Sequence, residues 1–385
     1  MALGRTTRLP SLTGLRFVAA AAVVAQHSSL IWTRGHGENA VLLRLGFAAV
    51  TFFFLLSGFL LTWAWRPDQP VGIFWRRRVA RILPSHLVTL ALGVLLLAAA
   101  GRAVPLHAWL PNALLVQTWS PRFDLLDPGV NGVSWSLCCD LAFYLLFPVV
   151  ARRAAAIRPE RLRHWAAAAV AAVVLVPLLA TAARPLLDGP PFGLAVTQRQ
   201  IWFSYTFPPA RMPEFLLGVV LARLVQEGRL DRVRSWHGAL AFALLYPLDH
   251  VAPLMFGIAA ITVLPLAALI AGTANADRLG RPSWLAHPVT ERLGALSMAL
   301  YLTHLLVIEH GDALLDPDGT ADGLRPLLFT VVLVAGSLAA AWLLHLAVEE
   351  PMVRLLNEPR RARPAELRTR PAELRTVADH QRETP

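Results

Sequence analysis

The chain has 385 residues, of which 56% are hydrophobic and 16% are charged. Globular proteins carry about 25% charged residues, so this composition excludes an ordinary soluble domain. The formal net charge is +11, and all 36 basic residues are arginine. These arginines lie in short segments between apolar runs, which indicates a membrane protein and not a nucleic-acid-binding one. Cys138 and Cys139 are adjacent in an apolar segment, which excludes a disulfide framework.

The apolar runs predict an all-α, polytopic membrane protein with about ten transmembrane helices, because about 20 apolar residues cross a bilayer core. The first run lacks a small-residue cleavage site, so we expect it to stay in the protein as a helix. A short additional stretch, Trp109–Trp119, is expected to lie at the membrane interface or to re-enter. In chain order the predicted helices are 11–31, 45–65, 82–100, 133–151, 165–183, 201–222, 236–248, 253–272, 293–310 and 326–348.

The distribution of arginine predicts an N-in/C-in orientation. With ten helices and a cytoplasmic N-terminus, 27 of the 36 arginines fall in inside segments and 7 fall in outside loops. Cytoplasmic loops are enriched in arginine and lysine, so this bias favours a multi-pass protein of the bacterial cytoplasmic (inner) membrane. The remaining two arginines, Arg16 and Arg211, lie within predicted helices.

Residues 1–356 form the predicted membrane domain, and residues 357–385 form a basic cytoplasmic tail. The tail is polar and contains a tandem repeat, RPAELRT, at Arg363–Thr369 and Arg370–Thr376. We expect the tail to be disordered and assign it no chemistry.

Arg16 and His27 are ionisable residues within the first predicted helix, where such groups are costly unless they serve a function. Eleven positions separate them, which amounts to three helical turns plus about 20°, so they face the same side about 16 Å apart. The predicted orientation places Arg16 near the cytoplasm and His27 towards the outer half. This pair suits a long donor substrate that has an anionic group at one end and a reactive group at the other. The alternative is a snorkelling arginine and a hydrogen-bonded core histidine.

The segment Trp75–Arg81 carries four arginines and is expected to be a loop at the cytoplasmic entrance of the third helix. Arginines at this position are first of all a topology signal. Arg77, Arg78 and Arg81 are also candidates for a phosphate clamp, because guanidinium forks match phosphate oxygens and keep their charge.

Arg211 and Glu214 are three positions apart in PPARMPEFLLG, so they can pair on one helix face. Pro208, Pro209 and Pro213 predict a kinked or broken helix that lines a cavity. A substrate contact and a structural ion pair explain the two charges equally well.

Other polar residues within the predicted helices give weaker indications of a functional site. Asp140 is expected to pair with Arg16 or Arg211, because an isolated carboxylate is unfavourable in a membrane. Small-residue packing at Ser57–Gly58, aromatic belts and helix-to-helix hydrogen bonds explain most of the others. The further candidates are Ser57, Trp135, Ser136, Tyr144, His304 and Glu349. Walker, Rossmann, zinc and HExxH patterns and a serine nucleophile elbow are all absent from the sequence.

Taken in order, the motifs are more specific than any single residue. They read LTGLRFVAAAAVVAQH, FFFLLSGFLLTW, FWRRRVARILP, WSLCCDLAFYLLFP, RMPEFLLG, SMALYLTH and VEEP. The series resembles the integral-membrane acyltransferase 3 family over essentially the whole chain except the tail. The resemblance implies a ten-helix domain that moves acyl groups from acyl-CoA to hydroxyls, commonly of sugars or natural products. The family's arginine–ten residues–histidine signature falls on Arg16 and His27, its arginine-rich motif on Arg78 and Arg81, and its tryptophan-serine-leucine motif on residues 135–137.

The chain departs from the family pattern at two positions. Thr13 stands where an acidic residue is usual, and Asp140 stands where the third motif usually has glutamate. The C-terminal glutamate–any–proline pattern places its acid at Glu349. The opening LPSLTGLRF and the compact length resemble the branch that O-acylates macrolide-type antibiotics in actinomycetes.

The residues and the resemblance together suggest a mechanism. His27 is the expected general base, with Arg16 and Asp140 as catalytic partners, and Asp140 or Glu349 either orients the imidazole or pairs with an arginine. Arg77, Arg78 and Arg81 are expected to bind the donor, acetyl-CoA or another short acyl-CoA, with no bound cofactor or metal. The expected substrate cavity comprises Ser57, Trp135, Ser136, Tyr144, Arg211, Glu214, His304 and Glu349.

Two alternative functions stay open at this point. The acceptor hydroxyl could belong to a cell-envelope sugar or polysaccharide and not to a small molecule. A membrane transporter would also contain buried Arg/Glu pairs and proline-broken helices, although no internal repeat is found among the spans. The expected partners are the lipid bilayer, acyl-CoA and the acceptor, but no nucleic acid, and the sequence leaves the oligomeric state open.

Overall fold

The computed structural model describes residues 8–32, 40–122, 130–187, 196–321 and 323–357. Within these ranges the chain is helical and contains no β-strand, which confirms the predicted all-α class. The predicted tail starts at residue 357, and from residue 358 onwards it lies outside the described residues.

The helices follow one another with short connections, and every predicted helix overlaps at least one of them. Two π-helical segments, Trp202–Thr206 and His345–Glu349, precede α9 and α16. The α-helices of the described ranges are α1 (Pro10–Trp32), α2 (Ala40–Trp63), α3 (Val71–Ala99), α4 (Leu106–Ala113), α5 (Trp135–Ala155), α6 (Leu162–Ala182), α7 (Arg184–Leu187), α8 (Gln198–Ile201), α9 (Pro208–Gln226), α10 (Ser235–Val251), α11 (Leu254–Gly257), α12 (Val263–Arg278), α13 (Pro288–Ala295), α14 (Ser297–Leu315), α15 (Arg325–Leu344) and α16 (Glu350–Asn357).

Several of these helices could cross a membrane by their length and composition. Among the described residues there are 5 such stretches, and 6 if α13 and α14, which meet at 60°, form one bent span. The five are Arg44–Trp63, Val71–Ala99, Gly132–Ala155, Pro159–Ala182 and Arg325–Leu356. These stretches support a multi-pass membrane protein, while the total of ten spans and the N-in/C-in orientation stay predictions.

The third helix begins eleven residues before its predicted start, at Val71 and not at residue 82. The prediction that residues 75–81 form a loop is therefore wrong. Nε1 of Trp75 donates a hydrogen bond to the carbonyl oxygen of Tyr144 at 3.1 Å, which ties this part of α3 to α5. The arginines that follow Trp75 thus project from a helix at 100° intervals.

The predicted break in the sixth helix is confirmed at Phe207. The π-helical segment ends at Thr206, Phe207 is extended with φ −72° and ψ 118°, and α9 then starts at Pro208. Proline is favoured at the first position of a helix because it lacks the amide hydrogen that would be unpaired there.

Gly58 of α2 and Gly218 of α9 allow these two helices to touch. A Cβ atom on Gly58 would lie 2.0 Å from the carbonyl oxygen of Phe215, and one on Gly218 would lie 2.0 Å from that of Leu55. The small-residue packing predicted from the sequence is therefore confirmed at Gly58.

Gly58→Ala is expected to lower the free energy of unfolding by about 1–3 kcal/mol, because the added methyl group overlaps backbone of α9. Gly72→Ala is the control, since no atom other than its chain neighbours and the nearby backbone of its own helix lies within 4 Å of its Cβ position. This variant should be neutral or stabilising by up to about 1 kcal/mol. Thermal unfolding of both variants in the same detergent measures the difference. Equal midpoints for Gly58→Ala and the wild type would contradict the close contact between α2 and α9.

Candidate active site

One cavity lies between α1, α2, α3, α5 and α14, and we call it the arginine cavity. Many of the residues singled out in the sequence line it, although they come from four different helices, α1, α2, α3 and α5. These residues are Arg16, Ser57, Arg78, Arg81, Ser136, Asp140 and Tyr144.

Three guanidinium groups dominate the charge of the arginine cavity. Arg78 and Arg81 are three positions apart on α3 and therefore share one helix face, and both line the cavity together with Arg16 of α1. In the described part of the chain, neither Arg16 nor Arg78 forms a salt bridge, while Nη2 of Arg81 lies 4.0 Å from Oε1 of Glu349. Arginines without a direct salt-bridge partner in a cavity attract anionic groups such as phosphates.

Asp140 supplies a carboxyl group to the same cavity. Its Oδ1 atom is buried and has no hydrogen-bond partner among the described residues. Asp140 shares the cavity with Arg16 but makes no ion-pair contact with it, and Arg211 is paired elsewhere. Of the two predicted partners of Asp140, the structure therefore favours Arg16, whose positive charge attracts the carboxyl group across the cavity.

His27 and His304 are in direct contact where α1 packs against α14. Nε2 of His304 lies 3.2 Å from Nδ1 of His27, and the ring centroids are 5.0 Å apart. Each Nδ1 atom also lies 3.0 Å from a carbonyl oxygen of its own helix, that of Val23 for His27 and that of Leu300 for His304. His304 is fully buried and His27 is half-buried. Neither histidine lines the arginine cavity.

Tyr301 joins the arginine cavity to the histidine pair. Tyr301 lines the cavity, and its ring centroid lies 5.9 Å from that of His304. Its hydroxyl group lies 2.8 Å from Oγ of Ser136 and donates a hydrogen bond to the carbonyl oxygen of Val133 at 3.1 Å. Tyr301 was not among the residues predicted from the sequence, although the motif SMALYLTH places it three positions before His304 on one helix face.

Arg16 and His27 both face α14, as their spacing on α1 predicts. Arg16 lines the arginine cavity together with Ser297 and Tyr301, and His27 contacts His304. The cation and the imidazole therefore lie along one continuous side of α1.

Glu349 lies next to Arg81 and does not contact His27. Its Oε2 atom lies 3.0 Å from Nδ1 of His345, while Oε1 faces Arg81. Glu349 is 4% exposed and belongs to the π-helical segment His345–Glu349. Of the two predicted roles for this carboxylate, the geometry favours pairing with an arginine.

Arg77 and Trp135 are further predicted site residues that do not line the arginine cavity. Arg77 is exposed because 100° separates its side chain from that of Arg78. Trp135 is buried, with its ring centroid 4.4 Å from that of Tyr205 and 6.2 Å from that of Phe54. Trp135 therefore packs behind the cavity, and Arg77 lies outside it.

Arg211 and Glu214 form a buried ion pair at 3.0 Å, as their spacing predicts. Nη2 of Arg211 also donates to Oγ1 of Thr51 at 3.1 Å, and its guanidinium group lies over the ring of Phe54. The pair lies outside the arginine cavity, beside a separate and much smaller void. Of the two explanations for these charges, the geometry favours a structural ion pair over a contact with the substrate.

Glu214→Gln is expected to destabilise the protein by about 3–5 kcal/mol, because it leaves the guanidinium charge of Arg211 buried and uncompensated. The double variant Arg211→Met/Glu214→Gln removes both charges and should recover most of that loss. Thermal unfolding in detergent compares the two. A double variant no more stable than Glu214→Gln would contradict a structural role for the pair.

Arg44 is one of the seven arginines that the predicted topology places in outside loops, and the structure corrects this assignment. Arg44 lies in α2, is buried, and its Nη1 atom lies 3.1 Å from Oδ1 of Asp249. Its guanidinium group also donates to the carbonyl oxygens of Asp249 and Ala252. Arg44 thus fastens α2 to the end of α10.

Comparisons with known proteins agree with a transferase. A family model described as an acyltransferase domain, Acyl_transf_3, matches residues 9–346. Acyltransferase MdmB of Streptomyces mycarofaciens is 39% identical over 374 aligned residues, which cover 92% of this chain and 94% of that protein.

Peptidoglycan O-acetyltransferase OatA of Listeria monocytogenes is 30% identical over 167 residues, which cover 37% of this chain and 25% of that protein. No solved structure matches the chain. Because the family model spans nearly the whole chain and the match to Acyltransferase MdmB runs almost end to end, this protein is a membrane acyltransferase of the acyltransferase 3 family.

Proposed function

We propose that the protein transfers a short acyl group from acyl-CoA to a hydroxyl group of a natural product such as a macrolide. The observation that carries this proposal is the arginine cavity, because its lining residue Tyr301 has its ring centroid 5.9 Å from that of His304 in the histidine pair. The proposed acceptor follows the resemblance of the sequence to the macrolide-acylating branch of the family.

The arginine cavity suits the donor because coenzyme A carries several phosphate groups at one end and its thioester at the other. Arg78 and Arg81 lie near the start of α3, and Arg16 lies in the second turn of α1. The predicted orientation places these arginines in the cytoplasmic half of the membrane, on the side where acyl-CoA is available. Arginine forks bind phosphate oxygens through paired, charge-assisted hydrogen bonds.

The chemistry requires one base and no covalent enzyme intermediate. Nε2 of His27 accepts the proton of the acceptor hydroxyl as its oxygen attacks the thioester carbonyl carbon. The carbon–sulfur bond then breaks, and the departing thiolate takes that proton from His27. The products are an ester and free coenzyme A. An acyl-histidine intermediate is an alternative route, but direct transfer needs fewer steps.

The test uses protein purified in detergent, acyl-CoA donors of two to four carbons, and a macrolide with a free hydroxyl. We expect thiol release that depends on the macrolide, together with a product heavier by one acyl group in mass spectrometry. Thiol release without a change in the mass of the macrolide would contradict this choice of acceptor.

A cell-envelope sugar is the second candidate acceptor, favoured by the similarity to peptidoglycan O-acetyltransferase OatA. Peptidoglycan fragments are therefore offered in the same assay, and an acylated fragment would favour this candidate. Metabolite profiling of a deletion strain separates the two in the cell, because only the true acceptor accumulates without its acyl group. Absence of thioester consumption with every donor and acceptor would favour transport.

A further inference from the structure

The contact between His27 and His304 determines which nitrogen of His27 can act as a base. We propose that His304 is a positioning residue that holds His27 in the tautomer protonated on Nδ1, leaving Nε2 of His27 unprotonated. This inference rests on the proposed function, in which His27 removes the hydroxyl proton.

The hydrogen bond between His304 and the backbone of its own helix fixes the tautomer of His304. Its Nδ1 atom lies 3.0 Å from the carbonyl oxygen of Leu300, and a carbonyl oxygen only accepts hydrogen bonds. A neutral His304 therefore carries its proton on Nδ1, and its Nε2 atom presents a lone pair. This lone pair points at Nδ1 of His27, 3.2 Å away.

The surroundings of Nδ1 in His27 fix the tautomer of that residue in turn. Its Nδ1 atom faces two acceptors, Nε2 of His304 and the carbonyl oxygen of Val23 at 3.0 Å. A proton on Nδ1 of His27 satisfies both through a shared hydrogen bond. The opposite assignment, with both histidines protonated on Nε2, keeps one hydrogen bond but sets lone pairs against the oxygens of Val23 and Leu300. With both histidines protonated on Nδ1 there are three attractive contacts, whereas the opposite assignment gives one attractive and two repulsive contacts. The assignment with both protons on Nδ1 is therefore the more stable one.

Burial makes the contact an effective constraint. His304 is 0% exposed, so no water competes for its Nε2 atom. In the described part of the chain, no carboxylate forms a salt bridge with His27, and Glu349 contacts Arg81 and His345 instead. His304 thus takes the place that a carboxylate has in many catalytic triads, where the third group orients the imidazole and fixes its tautomer.

The proton transfers of the proposed reaction agree with this role of His304. Nε2 of His27 takes the hydroxyl proton, and the resulting imidazolium keeps its Nδ1 proton hydrogen-bonded to His304. When the thiolate leaves, it takes the proton from Nε2 and restores the starting tautomer. His304 donates and accepts no proton in the cycle, so it acts through His27 alone.

Three substitutions of His304 separate positioning from packing. His304→Gln keeps an acceptor near the place of Nε2, His304→Asn keeps a polar group only near the place of Nδ1, and His304→Leu keeps neither. We expect His304→Asn and His304→Leu to lower kcat by roughly tenfold to a hundredfold, and His304→Gln to recover much of that loss. The KM for acyl-CoA should stay within about twofold of the wild type in all three, because His304 lies outside the arginine cavity.

A merely structural role would give other results. Full activity of His304→Leu, equal loss in the Gln and Asn variants, or a lowered thermal midpoint in all three would each overturn the proposal. In a His27→Ala background, His304→Leu should cause no further loss of activity, because the two residues act as one unit. Wild-type protein that consumes no thioester contradicts the proposed function, whereas an active His304→Leu beside an inactive His27→Ala contradicts this inference alone.

Discussion

Replacing His27 with alanine is expected to lower kcat for acyl transfer by roughly 10³-fold, because general-base catalysis is worth about 10²–10⁴-fold. The thioester carbonyl and the acceptor can still bind, since His27 lies outside the arginine cavity. The KM for acyl-CoA should therefore change little. Steady-state rates of thiol release at equal amounts of folded protein measure the effect.

His164→Ala is the matched control, because His164 is an exposed histidine near the start of α6. It should leave both kcat and KM at the wild-type level. If His27→Ala retained wild-type kcat while remaining folded, another group would have to be the base.

The second large effect is expected from the arginine cavity. Replacing both Arg16 and Arg78 with glutamine should raise the KM for acyl-CoA by roughly 10²-fold, because each charge-assisted hydrogen bond contributes about 1.5–3 kcal/mol. The kcat at saturating donor should fall much less, since the proposed base, His27, lies outside the arginine cavity. Measuring initial rates over a series of acyl-CoA concentrations separates the two parameters.

Arg77→Gln removes the same charge from the same helix but outside the arginine cavity. Its expected effect on the KM is less than about twofold, because exposed charges are screened by solvent and salt. An Arg77 variant with the same loss as the Arg16/Arg78 variant would show that net positive charge, and not the cavity, holds the donor.

Local patterns in the sequence predicted most of the helices and several contacts within one helix. Apolar runs locate helices well because each membrane-crossing helix must bury its own backbone polar groups. The alignment of Arg16 with His27 and the pairing of Arg211 with Glu214 follow from 3.6 residues per turn, which is a local property. The structure agrees with both.

Contacts between helices lay beyond the sequence patterns. The contact of His27 with His304 joins residues 277 positions apart, and nothing in either segment specifies the other. The pairing of Arg44 with Asp249 spans 205 positions and was missed for the same reason. For Asp140, the cost of an isolated charge suggested an arginine partner but left two candidates, and only the structure shows that the partner is Arg16, across the arginine cavity.

The start of α3 shows a different limit. Hydropathy marks where a segment becomes apolar enough for lipid, but a helix can continue into polar surroundings as long as its backbone hydrogen bonds are satisfied. The arginine-rich residues 75–81 were read as a loop for this reason, and they form the first turns of the helix. Because residues 75–81 are helical, Arg78 and Arg81 lie on one face of α3, and Arg77 lies on another.

The most direct test of the central claim measures thiol release from acetyl-CoA by the purified wild-type protein and by His27→Ala, with and without a macrolide acceptor. We expect acceptor-dependent release by the wild-type protein and release reduced by roughly 10³-fold in the variant. Equal acceptor-dependent release by the two proteins, at equal amounts of folded protein, would contradict the assignment of His27 as the base of this acyltransferase.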